Sequence, residues 1–163
     1  MTQEVGDKTH FLRILKQRLI DCSIQDWHDK IFTRERYYEY RSFKQMLCFE
    51  NYLIALSAKR FRDVVVRLRL GVSQLACHRH RYNNNELSRI CPVCHLENED
   101  TVHFLFHCTL YDQIRADIIP IELCQGNADT NFTKIFNEPE LTLLLARFVT
   151  EAMKLRETFL QNA

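Results

Sequence analysis

Apolar residues recur at intervals of three and four along most of the chain, which is the pattern of amphipathic helices. A first helix is predicted over residues 9–22. Ser23 has the chemistry of a helix N-cap and predicts that a second, short helix begins there, with Trp27 and Ile31 facing inward. A third helix is predicted over residues 34–47. The apolar residues that share one side of the first helix are Phe11, Leu12, Leu15 and Leu19.

The middle of the chain continues this pattern after a short apolar segment at residues 51–56. Ser57 is the expected N-cap of a helix that runs through Leu70, and Gly71 is expected to end it, because glycine tolerates the left-handed conformation of a helix stop. Residues 82–86 are rich in asparagine and predict a loop. Residues 90–98 predict a tight turn, and residues 100–107 predict a helix that presents His103.

The C-terminal part predicts two further helices. One covers residues 111–119 and ends at Pro120, and a loop follows at residues 125–131. Asn137 is expected to cap a long last helix through Leu160. Three parts are expected to share one core: a helical N-terminal part (1–88), a metal-binding knuckle with its following helix (89–119), and a C-terminal helical part (120–163).

Candidate chemistry is concentrated in the segment Cys91-Pro-Val-Cys94, followed after eight residues by His103 and after four more by Cys108. Zinc is bound in proteins by four Cys or His ligands in a tetrahedron, and two cysteines separated by two residues can form a knuckle on one side of the ion. Four protein ligands leave no position open for water, which is typical of a structural site. The predicted fold class is therefore a small, mainly α-helical domain stapled by one CCHC zinc (Zn²⁺) knuckle.

Alternative interpretations of these residues remain open. His95 and His107 lie next to the candidate ligands and are rival ligands, and Cys91 with Cys94 could instead be a redox pair or ordinary core thiols. The remaining cysteines are expected to be buried free thiols, because they are scattered among apolar residues; they are Cys22, Cys48, Cys77 and Cys124.

Charge is distributed unevenly although the net charge is only +1. Residues 59–94 carry eight Lys and Arg against two acidic residues, whereas residues 95–163 carry five against eleven. The middle segment has the charge of a polyanion binder, with RNA or single-stranded DNA as weak and largely non-specific partners. The opposing interpretation is that its arginines pair with the acidic final third. The candidate nucleic-acid-binding residues are Arg67, Arg69, His78, Arg79, His80, Arg81, Tyr82 and Arg89.

Composition narrows the class of protein further. Hydrophobic residues make up 46% and charged residues 26% of the chain, as in globular proteins. The N-terminal residues lack the apolar core of a signal peptide, and no apolar run is long enough to cross a bilayer. The expected location is the nucleus or cytoplasm, without secretion or a membrane partner.

The metal motif with its surroundings resembles the zinc-binding region that follows the polymerase of LINE-type (non-LTR) retrotransposon reverse transcriptases. The motif carries the resemblance through Cys91-Pro-Val-Cys94, an acidic stretch, His103-Phe-Leu-Phe-His-Cys108 and Leu110-Tyr111. The softer similarities lie in the flanks: Trp27, Tyr40-Arg-Ser-Phe-Lys44, Asn51-Tyr-Leu53, Arg67-Leu-Arg-Leu-Gly71, Arg81-Tyr82 and Lys154-Leu-Arg156. Thr109 departs from the family, in which proline is common at that position.

The resemblance implies a zinc-stabilised module that helps a retroelement polymerase hold its RNA or target DNA. It does not imply polymerase activity here, because the paired carboxylates that hold Mg²⁺ in polymerases and nucleases are absent from the sequence, as is a glycine-rich phosphate loop. We therefore expect a protein that is not an enzyme. The alternative is a structural or protein-interaction zinc module from a degenerate retroelement fragment.

Overall fold

A computed structural model describes residues 2–83 and 87–162, with side chains from Lys8 onward. The described residues are mainly helical and contain no strand beyond a single antiparallel bridge between Ile90 and Asn98. The prediction of a mainly helical protein is therefore confirmed. The chain divides into two units, residues 1–48 and residues 49–163. The three-part division made from the sequence stays a prediction.

The first unit consists of a long helix, α1 (Thr2–Thr33), a 3-10 turn (Glu35–Tyr37) and a short helix, α2 (Tyr38–Phe43). The break predicted at Ser23 is wrong, because its hydroxyl donates to the carbonyl of Leu19 at 2.7 Å, inside a continuous helix. Hydroxyl groups can bond to a carbonyl one turn earlier as readily as they cap a new helix. As predicted, Ile31 faces inward, whereas Trp27 is only half-buried.

The second unit contains seven helices that the structure describes. They are α3 (Tyr52–Ala55), α4 (Lys59–Arg69), α5 (Ala76–Tyr82), α6 (Asp112–Ile118), α7 (Ile121–Cys124), α8 (Ala128–Asn137) and α9 (Pro139–Asn162). A π-helical turn (His103–His107) and a 3-10 turn (Thr109–Tyr111) precede α6. Pro120 follows α6 as predicted.

Helix α9 is the centre of this unit and packs against α3, α4, α6 and α8. Its buried side includes two alanines, Ala146 and Ala152, whose small side chains allow neighbouring helices to approach. Phe148 of α9 meets Phe104 with ring centroids 5.6 Å apart and Tyr111 at 6.3 Å, both edge to face. This aromatic cluster joins α9 to the segment that carries the candidate metal ligands.

Three predicted element boundaries are corrected. Residues 125–131 are not a loop throughout, because the Asn127 side chain accepts hydrogen bonds from the amides of Asp129 and Thr130 and starts α8. Asn137 is the last residue of α8, and α9 begins at Pro139, an amino acid that suits the first turn of a helix because its missing N–H has no helical partner there. Ala58, one residue after Ser57, occupies the N-cap position of α4.

The basic segment after Gly71 contains a helix that the sequence did not predict. Residues 76–82 form α5, so Tyr82 ends a helix rather than beginning a loop. The rest of the loop predicted at 82–86 lies outside the described residues, apart from Asn83, which follows α5. His and Cys have low helix propensities and a helix of seven residues is too short to be stable alone, so tertiary contacts decide whether it forms.

Gly71 ends α4 in the manner predicted. Its φ is +64°, and its amide donates to the carbonyl of Leu68 at 3.1 Å, while the amide of Val72 donates to the carbonyl of Arg67 at 2.9 Å. These two bonds form the Schellman motif, which satisfies carbonyls at a helix end. The Cβ of another residue here would lie 3.1 Å from Nη1 of Arg81.

Replacing Gly71 with alanine should destabilise the protein by about 1 kcal/mol, because an alanine side chain disfavours positive φ. The midpoint of urea unfolding measures this change. Val72→Ala is the matched control, because Val72 is exposed and has no positive φ. An unchanged midpoint for Gly71→Ala would show that the turn relaxes without cost.

The cysteines outside the candidate metal motif are not buried as predicted. Cys22, Cys48 and Cys124 are exposed, and Cys77 is half-buried, although all four are free thiols. Among the described residues, no helix is long and apolar enough to cross a membrane.

Candidate metal centre

Four side chains converge in the second unit. The ligand atoms of Cys91, Cys94, His103 and Cys108 all lie within 4.8 Å of one another, so this cluster could hold a metal ion. The sulfurs of Cys91 and Cys108 are 3.9 Å apart, and the Cys94 sulfur is 3.4 Å from Nε2 of His103. Cys91, His103 and Cys108 are buried, and Cys94 is half-buried.

Backbone hydrogen bonds hold the turn from Cys91 to Cys94, which is the predicted knuckle. The amide of Cys91 donates to the carbonyl of Glu97 at 2.8 Å, and the amide of His95 donates back to the carbonyl of Cys91 at 3.0 Å. His95 has a φ of 57°, in the left-handed region, and this reverses the chain directly after Cys94. The two sulfurs are thereby brought to one side of the turn, as the sequence spacing predicts.

The other two ligand candidates lie at the two ends of a π-helical turn. Oδ1 of Asp100 accepts a hydrogen bond from the amide of His103 at 2.8 Å and caps the helical segment that begins at residue 101. The amide of Cys108 donates to the carbonyl of His103 at 2.9 Å, five residues back. A π-turn places residues five apart nearly above one another, so His103 and Cys108 meet on one side.

Glu97 orients the ring of His103. Its Oε2 is 3.1 Å from Nδ1 of His103, which leaves Nε2 facing Cys94. The rival candidate His107 is half-exposed and lies outside the four-residue cluster, with its Nδ1 3.9 Å from the same carboxylate. Glu97, His103 and His107 form a second, overlapping group that could hold an ion. His95 belongs to neither group.

The protonation of the three thiols follows from their surroundings. Burial raises the pKa of Cys91, and it raises the pKa of Cys108 to about 12. Burial also opposes ionisation of Cys94, but hydrogen bonds from the amides of Leu96 and Glu97 and from the thiols of Cys91 and Cys108 together outweigh it, so that its pKa lies below the usual value. Cys94 is therefore the thiol that ionises first.

Arg115, a buried residue of α6, fixes the end of the π-turn. Its Nε donates to the carbonyl of Leu105 at 2.7 Å, and its Nη2 donates to the carbonyl of Cys108 at 2.9 Å. Its Nη1 contacts Oδ1 of Asp112 at 2.5 Å. A planar guanidinium can satisfy several carbonyls at a helix end in this way. Arg115 thus holds the backbone of Cys108 in position.

Glu99 connects the knuckle to the rest of the unit. Its carboxylate is fully buried and receives two hydrogen bonds from Arg156 of α9, at 2.8 and 2.9 Å. Oε2 also accepts the amide of Ala76 at 2.7 Å, at the start of α5. Oε1 lies 4.0 Å from the sulfur of Cys91. The carboxylate of Glu99 therefore joins the segment that carries the candidate metal ligands to α5 and α9.

The structure buries three of the candidate nucleic-acid-binding residues. The guanidinium of Arg69 donates to Glu50 and to the carbonyl of Phe136, and it lies 4.7 Å from the ring centroid of Tyr52. His78 is fully buried, and its Nδ1 lies 2.7 Å from the hydroxyl of Ser73. His80 is buried with Nδ1 against the carbonyl of Leu87. Phosphate groups outside the protein do not reach these positions.

The other candidates remain at the surface. Arg67, Arg79, Tyr82 and Arg89 are exposed, and Arg81 is half-exposed. Arg79 and Tyr82 are three residues apart on α5 and share a side of that helix. The sulfhydryl of Cys77 contacts the carbonyl of Arg89, which places the Arg89 backbone alongside α5.

Sequence reasoning did not assign roles to Glu99, Arg115 and Arg156. In the sequence, Glu99 stands out only as part of the acidic stretch after Cys94, and Arg156 only as part of the Lys154-Leu-Arg156 similarity in the last helix. A charged residue on an otherwise apolar side of a helix is the signal that could have indicated Arg156. Its partner lies 57 residues away, and no local pattern identifies such a pair.

Comparison of the chain with protein-family models, with curated proteins and with solved structures gives no match. The relation to the zinc-binding region of LINE-type reverse transcriptases therefore remains a hypothesis that rests on the ligand spacing and the flanking motifs.

Proposed function

We propose that this protein is a zinc-stabilised nucleic-acid-binding module that resembles the tail of a retrotransposon reverse transcriptase and carries no catalytic function. The observation that carries the proposal is that Glu99 joins α5, which presents Arg79 and Tyr82 at the surface, to a closed Cys/His cluster. The polymerase-tail origin is supported by the ligand spacing and, more weakly, by the flanking motifs.

Zinc is the ion that suits the cluster best. Three thiolates and one imidazole are the ligands of a structural zinc site, and a tetrahedron with Zn–S bonds of about 2.3 Å has sulfur–sulfur edges of about 3.8 Å. The observed separation of 3.9 Å between the Cys91 and Cys108 sulfurs matches such an edge. The hydrogen bond between Glu97 and Nδ1 of His103 is the outer contact expected of a zinc-bound histidine.

RNA or single-stranded DNA is the partner that the exposed residues favour. Arg79 and Arg89 offer planar donors for phosphate oxygens, and Tyr82, which is 54% exposed on the same side of α5 as Arg79, offers a ring on which a base can stack. Anchoring of α5 to the buried Glu99 carboxylate lowers the entropic cost of ordering these side chains on binding.

Replacing Arg79, Arg81 and Arg89 together with glutamine should weaken RNA binding and flatten its salt dependence. Each lost phosphate contact removes a slope of about 0.7 from the plot of log affinity against log salt, so three lost contacts remove about two units. Fluorescence anisotropy with a labelled single-stranded RNA at several salt concentrations measures the slope.

The matched control replaces Lys134, Arg147 and Lys154 with glutamine, since these exposed bases lie in the acidic final third and their loss changes the net charge equally. The control should keep the wild-type slope. Absence of RNA binding by the wild-type chain at low salt would contradict the proposal.

A protein-interaction module is the second candidate. Leu96, in the turn after Cys94, is 79% exposed, and Ile90, which pairs with Asn98, is 43% exposed, so this segment presents apolar surface as well as charge. An apolar protein interface keeps its affinity at high salt, whereas phosphate contacts do not. A binding activity that survives high salt and is lost on Leu96→Ser would favour this candidate.

A further inference from the structure

A second group of metal-ligating side chains, the outer group, adjoins the Cys/His cluster. It consists of Glu97, His103 and His107, whose ligand atoms lie within 4.8 Å of one another. The side chains of Glu97 and His107 are exposed, at 61% and 51%, whereas His103 is buried. Because His103 belongs to both groups, its ring lies between an exposed set of ligands and a closed one.

The π-helical turn explains why one histidine serves both groups. The amide of Cys108 donates to the carbonyl of His103, five residues back, so one turn holds between four and five residues. The residues four and five positions after His103 therefore lie on either side of it. The first is His107, which belongs to the outer group, and the second is Cys108, which belongs to the Cys/His cluster.

The separations within the outer group suit a zinc ion. A tetrahedral site with bonds of about 2.0–2.1 Å to nitrogen and oxygen has edges of about 3.3–3.4 Å. Oε2 of Glu97 is 3.1 Å from Nδ1 of His103 and 3.9 Å from Nδ1 of His107, and these distances bracket such an edge. Two imidazoles and a carboxylate leave the fourth position open, and an open position lets ligands exchange.

The ring of His103 serves one group at a time. A neutral imidazole carries one N–H and one free lone pair on its two nitrogens. When Nε2 binds an ion in the Cys/His cluster, the N–H at Nδ1 donates to Glu97, which is 3.1 Å away. When Nδ1 binds an ion in the outer group, the N–H at Nε2 faces the sulfur of Cys94 at 3.4 Å. The two positions are therefore alternatives for one ion.

The Cys/His cluster opens towards solvent at Cys94, which is half-buried, whereas Cys91 and Cys108 are almost fully enclosed. We propose that zinc enters and leaves this cluster through the outer group, an inference that rests on the zinc site proposed above. The ion binds first to Glu97, His107 and Nδ1 of His103. It then passes to Nε2 and the three sulfurs, while the imidazole proton moves to Nδ1 through solvent and the thiols release their protons to water.

The experiment measures how fast the zinc-loaded full chain gives its ion to an excess of chromophoric chelator, and measures the zinc dissociation constant by competition. His107→Ala should slow release by about tenfold or more, which is the scale on which single contacts around metal sites act. The dissociation constant should stay unchanged, because all four ligands of the cluster remain. The association rate, which is the release rate divided by the dissociation constant, then falls equally.

His107→Asp tests whether the outer position needs a ligand. A carboxylate oxygen of aspartate is bonded to Cγ, as Nδ1 of histidine is, so this variant keeps a donor at the same place and should release zinc faster than His107→Ala. Equal release rates for the two variants would contradict a ligand role for His107.

His95→Asn is the matched control, because His95 is exposed, follows a ligand directly and belongs to neither group, and asparagine tolerates its positive φ. Its release rate should equal that of wild type. A merely structural role for His107 would weaken binding and speed release; that result, or an unchanged rate for His107→Ala, overturns the route alone. A wild-type chain that holds no zinc overturns the zinc site and the route together.

Discussion

The purified protein should contain about one zinc ion per chain, and Cys94→Ser should lose it. Serine lacks the thiolate that zinc prefers, and the loss of one of four ligands should weaken binding by more than about 100-fold, because changes outside the ligand set alone weaken metal sites about 10- to 100-fold. Zinc binding in small structural sites is coupled to folding, so the melting temperature should fall as well. Atomic absorption and competition with a chromophoric chelator measure the two effects.

Cys124→Ser is the control for the zinc prediction, because this exposed thiol lies outside the cluster and its replacement should leave zinc content unchanged. Helicity and melting temperature that stay unchanged after the metal is stripped from the wild-type chain by a strong chelator would contradict a structural role for the ion.

Arg156→Met should destabilise the protein strongly. The substitution keeps much of the side-chain volume but leaves the carboxylate of Glu99 buried without its charged partner. Breaking a buried pair from one side costs about 3–5 kcal/mol, which for a chain of this size lowers the melting temperature by about 10 °C. Thermal denaturation followed by circular dichroism measures the change in the zinc-loaded protein.

Arg147→Met is the matched control for this ion pair, because Arg147 is exposed on the same helix, α9. Its substitution should change the melting temperature by no more than about 2 °C, as is usual for exposed sites. Equal effects of the two substitutions would show that the Glu99–Arg156 pair does not hold the knuckle to α9.

The sequence by itself determined the helical class and the residues of the candidate metal cluster. The spacing of apolar residues is a local property that identifies a helix without knowledge of its neighbours. Cys91, Cys94, His103 and Cys108 lie within 18 residues, so local turns are enough to bring them together. Gly71 was identifiable for the same reason, because the left-handed stop of a helix is a local conformation that glycine adopts without strain.

Several local signals were ambiguous and were decided by the surrounding structure. Ser23 lies inside α1 instead of capping a new helix. Asn127 caps α8, whereas Asn137, which was predicted to cap the last helix, is the last residue of α8. Serine and asparagine side chains can bond to the backbone in either direction, so their presence marks a possible boundary without fixing it. The helix α5 formed where composition indicated only a basic segment near loops.

Only the tertiary structure decided which charges are available to partners. Arg67 and Arg69 are two residues apart in the same helix, yet the first is exposed and the second is buried against Glu50 and Phe136. Likewise, Glu99 meets Arg156 across 57 residues of chain. Local periodicity specifies the side of a helix on which a residue lies, but burial of that side depends on which distant element packs there, and this long-range pairing leaves no signature in the sequence near either residue.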